Sequence, residues 1–240
     1  MTYTLPFKAD NTILINASAS ITAPSIEVTG DVETSGSGEI VCAGQLSATG
    51  KVSSGGTITA GSLSCNGISV TRGSALIVKT SLTCTGPVKV NERGTLILPA
   101  GFDISTLQLN SDATGTIYVG TKAYKADGTL IEGASIPLTD GYDLSDEGFT
   151  WDSATCTLTL TNFERRYNSD NVKDAGITIM AQGKNVTLVL NGTNTLTGLA
   201  AREVQAGILY GANSLTLKGD GSLNCVDSAG ALGVNAGVIQ

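Results

Sequence analysis

The chain has 240 residues, of which 41% are hydrophobic, 5% aromatic and 15% charged, with 30 glycines and a formal net charge of -7. There is enough apolar material for a sizeable core, but the aromatic share is low for a compact globular enzyme. The acidic balance argues against nucleic acid or an anionic membrane as a partner, since both demand a basic face, and no run approaches the ~20 apolar residues that a bilayer-spanning helix needs.

Met1 to Lys8 lack the basic start and apolar stretch of a signal peptide. Alternation of apolar and polar residues, the mark of a half-buried strand, begins at Thr12 to Asn16 and Ile21 to Thr29. From Asp31 a short repeat takes over. Gln45-Leu46-Ser47-Ala48-Thr49-Gly50 recurs as Ser62-Leu63-Ser64-Cys65-Asn66-Gly67 and as Ser81-Leu82-Thr83-Cys84-Thr85-Gly86, at spacings of 17 and 19. A second strand follows each copy, at Val32, Val52, Val70 and Val88, and a third precedes it, at Ile40, Ile58, Leu76 and Leu96. Three strands per turn with glycine at the corners predict a narrow three-sided coil over residues 1–116, the glycines supplying left-handed corner conformations.

A different segment, residues 117–150, is expected to continue the coil as a hairpin and acidic connector. Ala126-Asp127-Gly128-Thr129, between Lys122 to Lys125 and Leu130 to Glu132, predicts a hairpin through its Asp-Gly turn. Asp140, Asp143, Asp146, Glu147 and Asp152 then crowd together before and beside Phe149-Thr150-Trp151.

Residues 151–240 repeat at a longer period. Ala175-Gly176-Ile177-Thr178-Ile179, Ala206-Gly207-Ile208-Leu209-Tyr210 and Ala236-Gly237-Val238-Ile239-Gln240 set Gly176, Gly207 and Gly237 at intervals of 31 and 30. Between them, Thr187 to Leu196 aligns with Ser214 to Leu223. A unit of this kind cannot bury its apolar face alone and must stack on a copy of itself. The fold class is therefore all-β, a parallel β-helix or β-solenoid, expected to be right-handed because parallel crossovers strongly prefer that hand. Gln240 falls inside the third copy, so the reading is of a fragment whose C-terminal end meets further repeats of the same polypeptide.

Cys42, Cys65, Cys84, Cys156 and Cys225 each share strand parity with a neighbouring Ile or Leu, which predicts unpaired thiols pointing into the core. With no histidine and no Cys-x-x-Cys, the residues offer little to a zinc or redox site.

Gly148-Phe149-Thr150-Trp151-Asp152-Ser153-Ala154-Thr155-Cys156-Thr157-Leu158-Thr159-Leu160 and Val186 to Leu196 resemble a family of bacterial secreted and surface-anchored carbohydrate-binding-domain proteins with a pectate-lyase-like parallel β-helix. The resemblance covers about residues 117–240. It implies the coil, and carbohydrate as a class of partner.

The candidate binding residues follow from chemistry that suits sugars, namely aromatic faces for stacking and arginine for paired donors. Phe163, Arg165, Arg166 and Tyr167 lie together in Phe163-Glu164-Arg165-Arg166-Tyr167-Asn168, read as a loop in which Phe163 either meets a ligand or tucks back onto the core. Trp151 is either a stacking platform or the filling of a core junction. Asp140, Asp143 and Asp146 are candidate calcium ligands, although they match no calcium-loop spacing, and a solvated acidic turn is the plainer account. Asn191, Asn194 and Asn213 near the corners suggest a ladder that satisfies turn amides. Outward Thr155, Thr157, Thr159 and Thr161, partly echoed by Thr193, Thr195 and Thr197, are read as ordinary β-propensity rather than an ice-binding row. Asn185-Val186-Thr187 and Asn191-Gly192-Thr193 match the glycosylation pattern without a bacterial reason to be used.

A calcium-dependent polysaccharide lyase would need Asp170, Lys173 and Asp174 to converge with Arg165 and Arg166, and with Arg202 and Glu203 a rung away, and no sequence feature brings them together. The expectation is thus a non-catalytic β-solenoid from a bacterial surface or secreted protein, adhesin-like or carbohydrate-binding, without cofactor unless calcium binds. The alternative is a purely structural stalk or fibre, on a cell surface or a virion.

Overall fold

The computed structural model describes residues 1–120, 122–131, 143–144, 147–152, 154–167, 177–198, 206–226 and 230–239. Among them the regular elements are strands, apart from 3-10 turns at Ile104–Thr106 and at Glu147. The chain divides into two compact units, Met1–Leu130 and Ile131–Gln240. Each is built on parallel coils stacked in register, which makes the fold a β-solenoid.

In the first unit the three copies of the short motif lie on one another as their spacing predicts. Leu46 stands opposite Leu63 and Leu63 opposite Leu82, with Gln45, Ser62 and Ser81 beside them. A second column, Ile21, Ile40, Ile58, Leu76, Leu96 and Ile117, is buried throughout. A third runs through Ile13, Val32, Val52, Ile68, Val88 and Leu109 on a separate six-stranded sheet. These three columns fill the interior, so every coil buries its aliphatic side chains against the coils above and below it rather than within itself. The sequence reading set Val70 in the third column; Ile68 stands there, and Val70 faces Ser54 and Val90. A slip of two residues keeps every side chain on its original face, so alternation alone is blind to it.

Two of the expected three sides are not separate strands. Glu39–Ala48, Thr57–Cys65 and Ala75–Cys84 each serve both, bent at a register shift such as that between Cys42 and Gln45. Glycine is needed at such a bend for space rather than for the left-handed conformation expected from sequence: a Cβ on Gly61 would stand 2.4 Å from the Ala43 carbonyl oxygen of the preceding coil. The turns also use inward hydroxyls where alternation predicts apolar side chains. Buried Thr34 accepts from the amides of Gly55 and Gly56 at 3.2 and 3.1 Å, and buried Ser54 donates to the Ala75 carbonyl at 2.8 Å.

Another departure from alternation lies at Leu76-Ile77-Val78 and Leu96-Ile97-Leu98. Ile77 and Ile97 point away from the interior columns, yet they are only 1% and 2% exposed. The sheet is covered on both faces here, which a continuous apolar run signals in the way that alternation signals one buried face.

The unit closes with antiparallel strands. Thr116–Val119 continues the parallel stack, Leu96 lying opposite Ile117, and then pairs antiparallel with Lys122–Lys125. Gly120, at φ +56°, begins that reversal. The second turn is the predicted one: the Gly128 amide donates to the Lys125 carbonyl at 2.9 Å, and Asp127 accepts from the Thr129 amide at 2.8 Å.

The second unit contains another unforeseen hairpin, Phe149–Asp152 antiparallel to Thr157–Thr161. Asp152 closes its turn by accepting from the Ala154 amide at 2.9 Å and the Thr155 hydroxyl at 2.7 Å, with Cys156 in a left-handed conformation at φ +50°. Those hydrogen bonds, chiefly the one from the Thr155 hydroxyl, hold the Asp152 carboxyl below its ordinary range. Parallel coils follow: Thr157–Thr161, Ile177–Asn191, Ala206–Lys218 and Gly230–Ile239 on one sheet, and Glu164–Tyr167, Thr193–Gly198 and Ser222–Val226 on another.

The long repeat is present, but its alignment differs from the one the motifs suggest. Thr187 lies opposite Thr216 and Asn185 opposite Ser214, two residues from the sequence alignment. In the last coil Ile208 faces Leu232 and Ser214 faces Val238, a turn of 24 residues rather than 30. The Gly237 copy of the motif is therefore not stacked on the Gly207 copy. Both displacements are even, so alternation alone does not reveal them. The threonine row is corrected for the same reason: Thr157 is stacked on Thr187 and Thr216, while Thr193, Thr195 and Thr197 belong to the other sheet.

Candidate functional site

The segment read as a ligand-binding loop is in fact a strand. Glu164–Tyr167 pairs in parallel with Thr193–Gly198, Arg165 opposite Leu196 and Arg166 opposite Thr197. Strand parity then sorts its side chains. Phe163 is 1% exposed and packs on Phe149, ring centres 5.6 Å apart, so it fills the core rather than the surface. Arg165 turns inward as well and is 8% exposed. Arg166 and Glu164 remain on the outer face, beside Thr195 and Thr197. The structure thus separates the predicted cluster instead of gathering it. Only the backbone of Tyr167 is described, opposite Gly198.

Trp151 sits on the other sheet, opposite Leu158 and on the face shared by Phe149 and Leu160. It is half-buried there, at the junction between the hairpin and the first parallel coil. Of the calcium candidates, Asp140 and Asp146 lie outside the described residues, and Asp143 is described only as backbone in the two-residue strand Asp143–Leu144. Asp170, Lys173, Asp174, Arg202 and Glu203 also lie outside them. Among the described residues no three Cys, Asp or Glu side chains converge as metal ligands would, and no helix is long and apolar enough to cross a membrane.

What the second unit does assemble is an amide clamp. Asn194 is wholly buried; its Oδ1 accepts from the Phe163 amide at 2.9 Å, and its Nδ2 donates to the Ser222 carbonyl at 3.1 Å and the Asn191 carbonyl at 3.3 Å. One side chain thereby ties three successive coils. Asn162, left-handed at φ +49°, adds a bond from the Thr193 amide to its Oδ1 at 3.1 Å. Of the asparagines expected to form a ladder, Asn194 satisfies a backbone amide, Asn191 makes one 3.4 Å contact with the Thr161 hydroxyl, and the Asn213 side chain lies outside what is described; Asn162 is a contributor that the sequence reading missed. Asn162-Phe163 and Asn191-Gly192 each follow a run of alternating residues, and that shared position was the available signal.

Cys42, Cys65 and Cys84 are free thiols; Cys42, Cys65 and Cys156 are buried and Cys84 and Cys225 half-buried. Burial pushes the Cys42 thiol up. Cys65 and Cys84 differ from the rest because the coils set them directly opposite each other. The neighbouring Cys65 thiol favours the thiolate of Cys84 and draws it below the usual thiol range, while Cys84 and burial hold Cys65 above that range. Cys84 is therefore expected to react with iodoacetamide at a lower pH than an ordinary thiol does. An ordinary thiol keeps accelerating through about 8.5. Peptide mapping after timed alkylation would show this, and Cys65→Ala should move the midpoint upward.

Compared with protein-family models, curated proteins and solved structures, the chain matches none. Its class rests on the coordinates: a parallel β-solenoid with hydroxyl- and amide-lined corners.

Proposed function

We propose that the chain is a non-catalytic scaffold from a bacterial surface or secreted protein, of the adhesin-like or carbohydrate-binding kind. The observation that carries this reading is the in-register repetition of short polar side chains on an outer face. Gln45, Ser62 and Ser81 form one row and Ser47, Ser64 and Thr83 the next. Such a row presents a hydrogen-bonding group at every rung, about 4.8 Å apart, which suits an extended polymer of repeating hydroxyls better than a compact metabolite. At one end of the rows Ser25, Glu27, Gln45 and Ser47 line a shallow hollow of about 310 Å³. Of the groups that a polysaccharide lyase would use, Arg165 is turned inward and Arg166 lies on the outer face, while Asp170, Lys173, Asp174, Arg202 and Glu203 lie outside the described residues.

A glycan array probed with wild type, Gln45→Ala/Ser64→Ala and Arg166→Ala tests the proposal. Binding lost in the double variant supports the rows, and binding lost in Arg166→Ala moves the contact to the second unit. A silent array leaves a structural stalk or fibre as the function. Unsaturated products from polygalacturonate with calcium would overturn the non-catalytic reading.

A further inference from the structure

Cys65 and Cys84 stand opposite each other on neighbouring parallel coils, a sequence distance of 19 residues closed by the stacking. Direct partners on parallel strands have Cα atoms about 4.8 Å apart, within the roughly 4.4–6.8 Å over which disulfides form. Their Cβ atoms are nearly as far apart as their Cα atoms, so bond formation asks one strand to move inward by a few tenths of an ångström. Among the described residues the outer strand is ladder-bonded on one side alone there. The next coil pairs with Ala75–Cys84 only at Ala75, Leu76 and Ile77, and no described strand pairs with the far side of residues 81–84.

Position also divides the labour between the two sulfurs. Cys84 lies on the edge and is half-buried, within reach of a small solute, whereas Cys65 is one coil deeper and 5% exposed. We propose that Cys84 and Cys65 form a peroxide-reactive dithiol, with Cys84 as the attacking thiol and Cys65 as the resolving thiol, whose product is a disulfide joining the two coils. In the first step the Cys84 sulfur attacks one oxygen of a hydroperoxide; the O–O bond breaks, sulfur is oxidised to sulfenic acid, and the other oxygen leaves as water or alcohol. In the second, the Cys65 sulfur displaces hydroxide from the sulfenic acid, its thiol proton completing a water molecule. Two thiols and one hydroperoxide thus yield one disulfide, with the peroxide reduced. In the described strand pairings Cys42 faces Ala23 and Ala60, and Cys225 faces Leu196.

The test uses the full chain and hydrogen peroxide. Thiol titration in denaturant should fall from five to three per chain, reversibly with dithiothreitol, and peptide mapping should find the bond between Cys65 and Cys84 within one chain. Cys65→Ser should leave a sulfenic acid at Cys84 that dimedone captures, and Cys84→Ser should abolish both products. The mapping on wild type does not depend on how the variants fold. Five surviving thiols, a bond between chains, or oxidation centred on another cysteine would each overturn the proposal.

Discussion

Asn194→Ala is expected to destabilise the second unit by about 3 kcal/mol, a large loss for a surface-remote substitution that removes no apolar packing. The side chain is fully buried and serves three coils at once, accepting from Phe163 and donating to Asn191 and Ser222. Its loss strands one buried amide and removes the donor to two partly buried carbonyls. An unsatisfied buried group costs about 1–3 kcal/mol, and partial relaxation keeps the sum below the arithmetic maximum. Trp151 is the sole tryptophan and lies in this unit, so its fluorescence follows the unit's unfolding in urea. With a slope of about 2 kcal/mol per molar urea, the midpoint should fall by about 1.5 M. Asn191→Ala is the control, because that side chain is half-exposed and its amide makes one long contact, 3.4 Å to the Thr161 hydroxyl. It should move the midpoint by no more than a few tenths molar. Equal effects from the two variants would show that the clamp does not hold the coils together.

How far the fold could be read in advance depended on the kind of signal each residue carries. Leu46, Leu63 and Leu82 were legible because their flanking residues repeat, so motif and register coincide. Ile68 and Val70 were confused, and Thr187 was aligned two residues away from its partner, because faces are set by parity and parity is unchanged by an even slip. The register is decided by the bends and by hydrogen bonds at corners such as Asn162 to Thr193, which leave no period in the sequence. The site suffered more. Glu164-Arg165-Arg166-Tyr167 shows no apolar alternation, since the inward residue is itself an arginine, and so a paired strand passed for a loop. Chemistry-bearing residues were assembled into a binding cluster by nearness in sequence, whereas a strand sends neighbours to opposite faces. Phe163 and Arg166 are three residues apart and on opposite sides of the sheet.

Ile77→Lys is expected to damage the first unit as severely as Leu76→Ala, which simple alternation would never suggest. Leu76 belongs to the interior column between Ile58 and Leu96, and its truncation opens a cavity in a close-packed stack at a cost of about 2–5 kcal/mol. Ile77 lies on the opposite face of the same strand and would be a harmless place for lysine if that face met water. It is instead 1% exposed. A lysine there must either bury its ammonium, costing several kcal/mol, or push away whatever covers Ile77 and Ile97. Val41 supplies the contrast, since it occupies the same outward column two coils earlier and is half-buried, so Val41→Lys can lead its charge to solvent at little cost. Thermal unfolding followed by far-ultraviolet circular dichroism should show Leu76→Ala and Ile77→Lys melting well below wild type and Val41→Lys close to it. If Ile77→Lys melts with Val41→Lys instead, the outer face at Ile77 is open in solution, and the apolar run Leu76-Ile77-Val78 reflects strand propensity rather than burial on both sides.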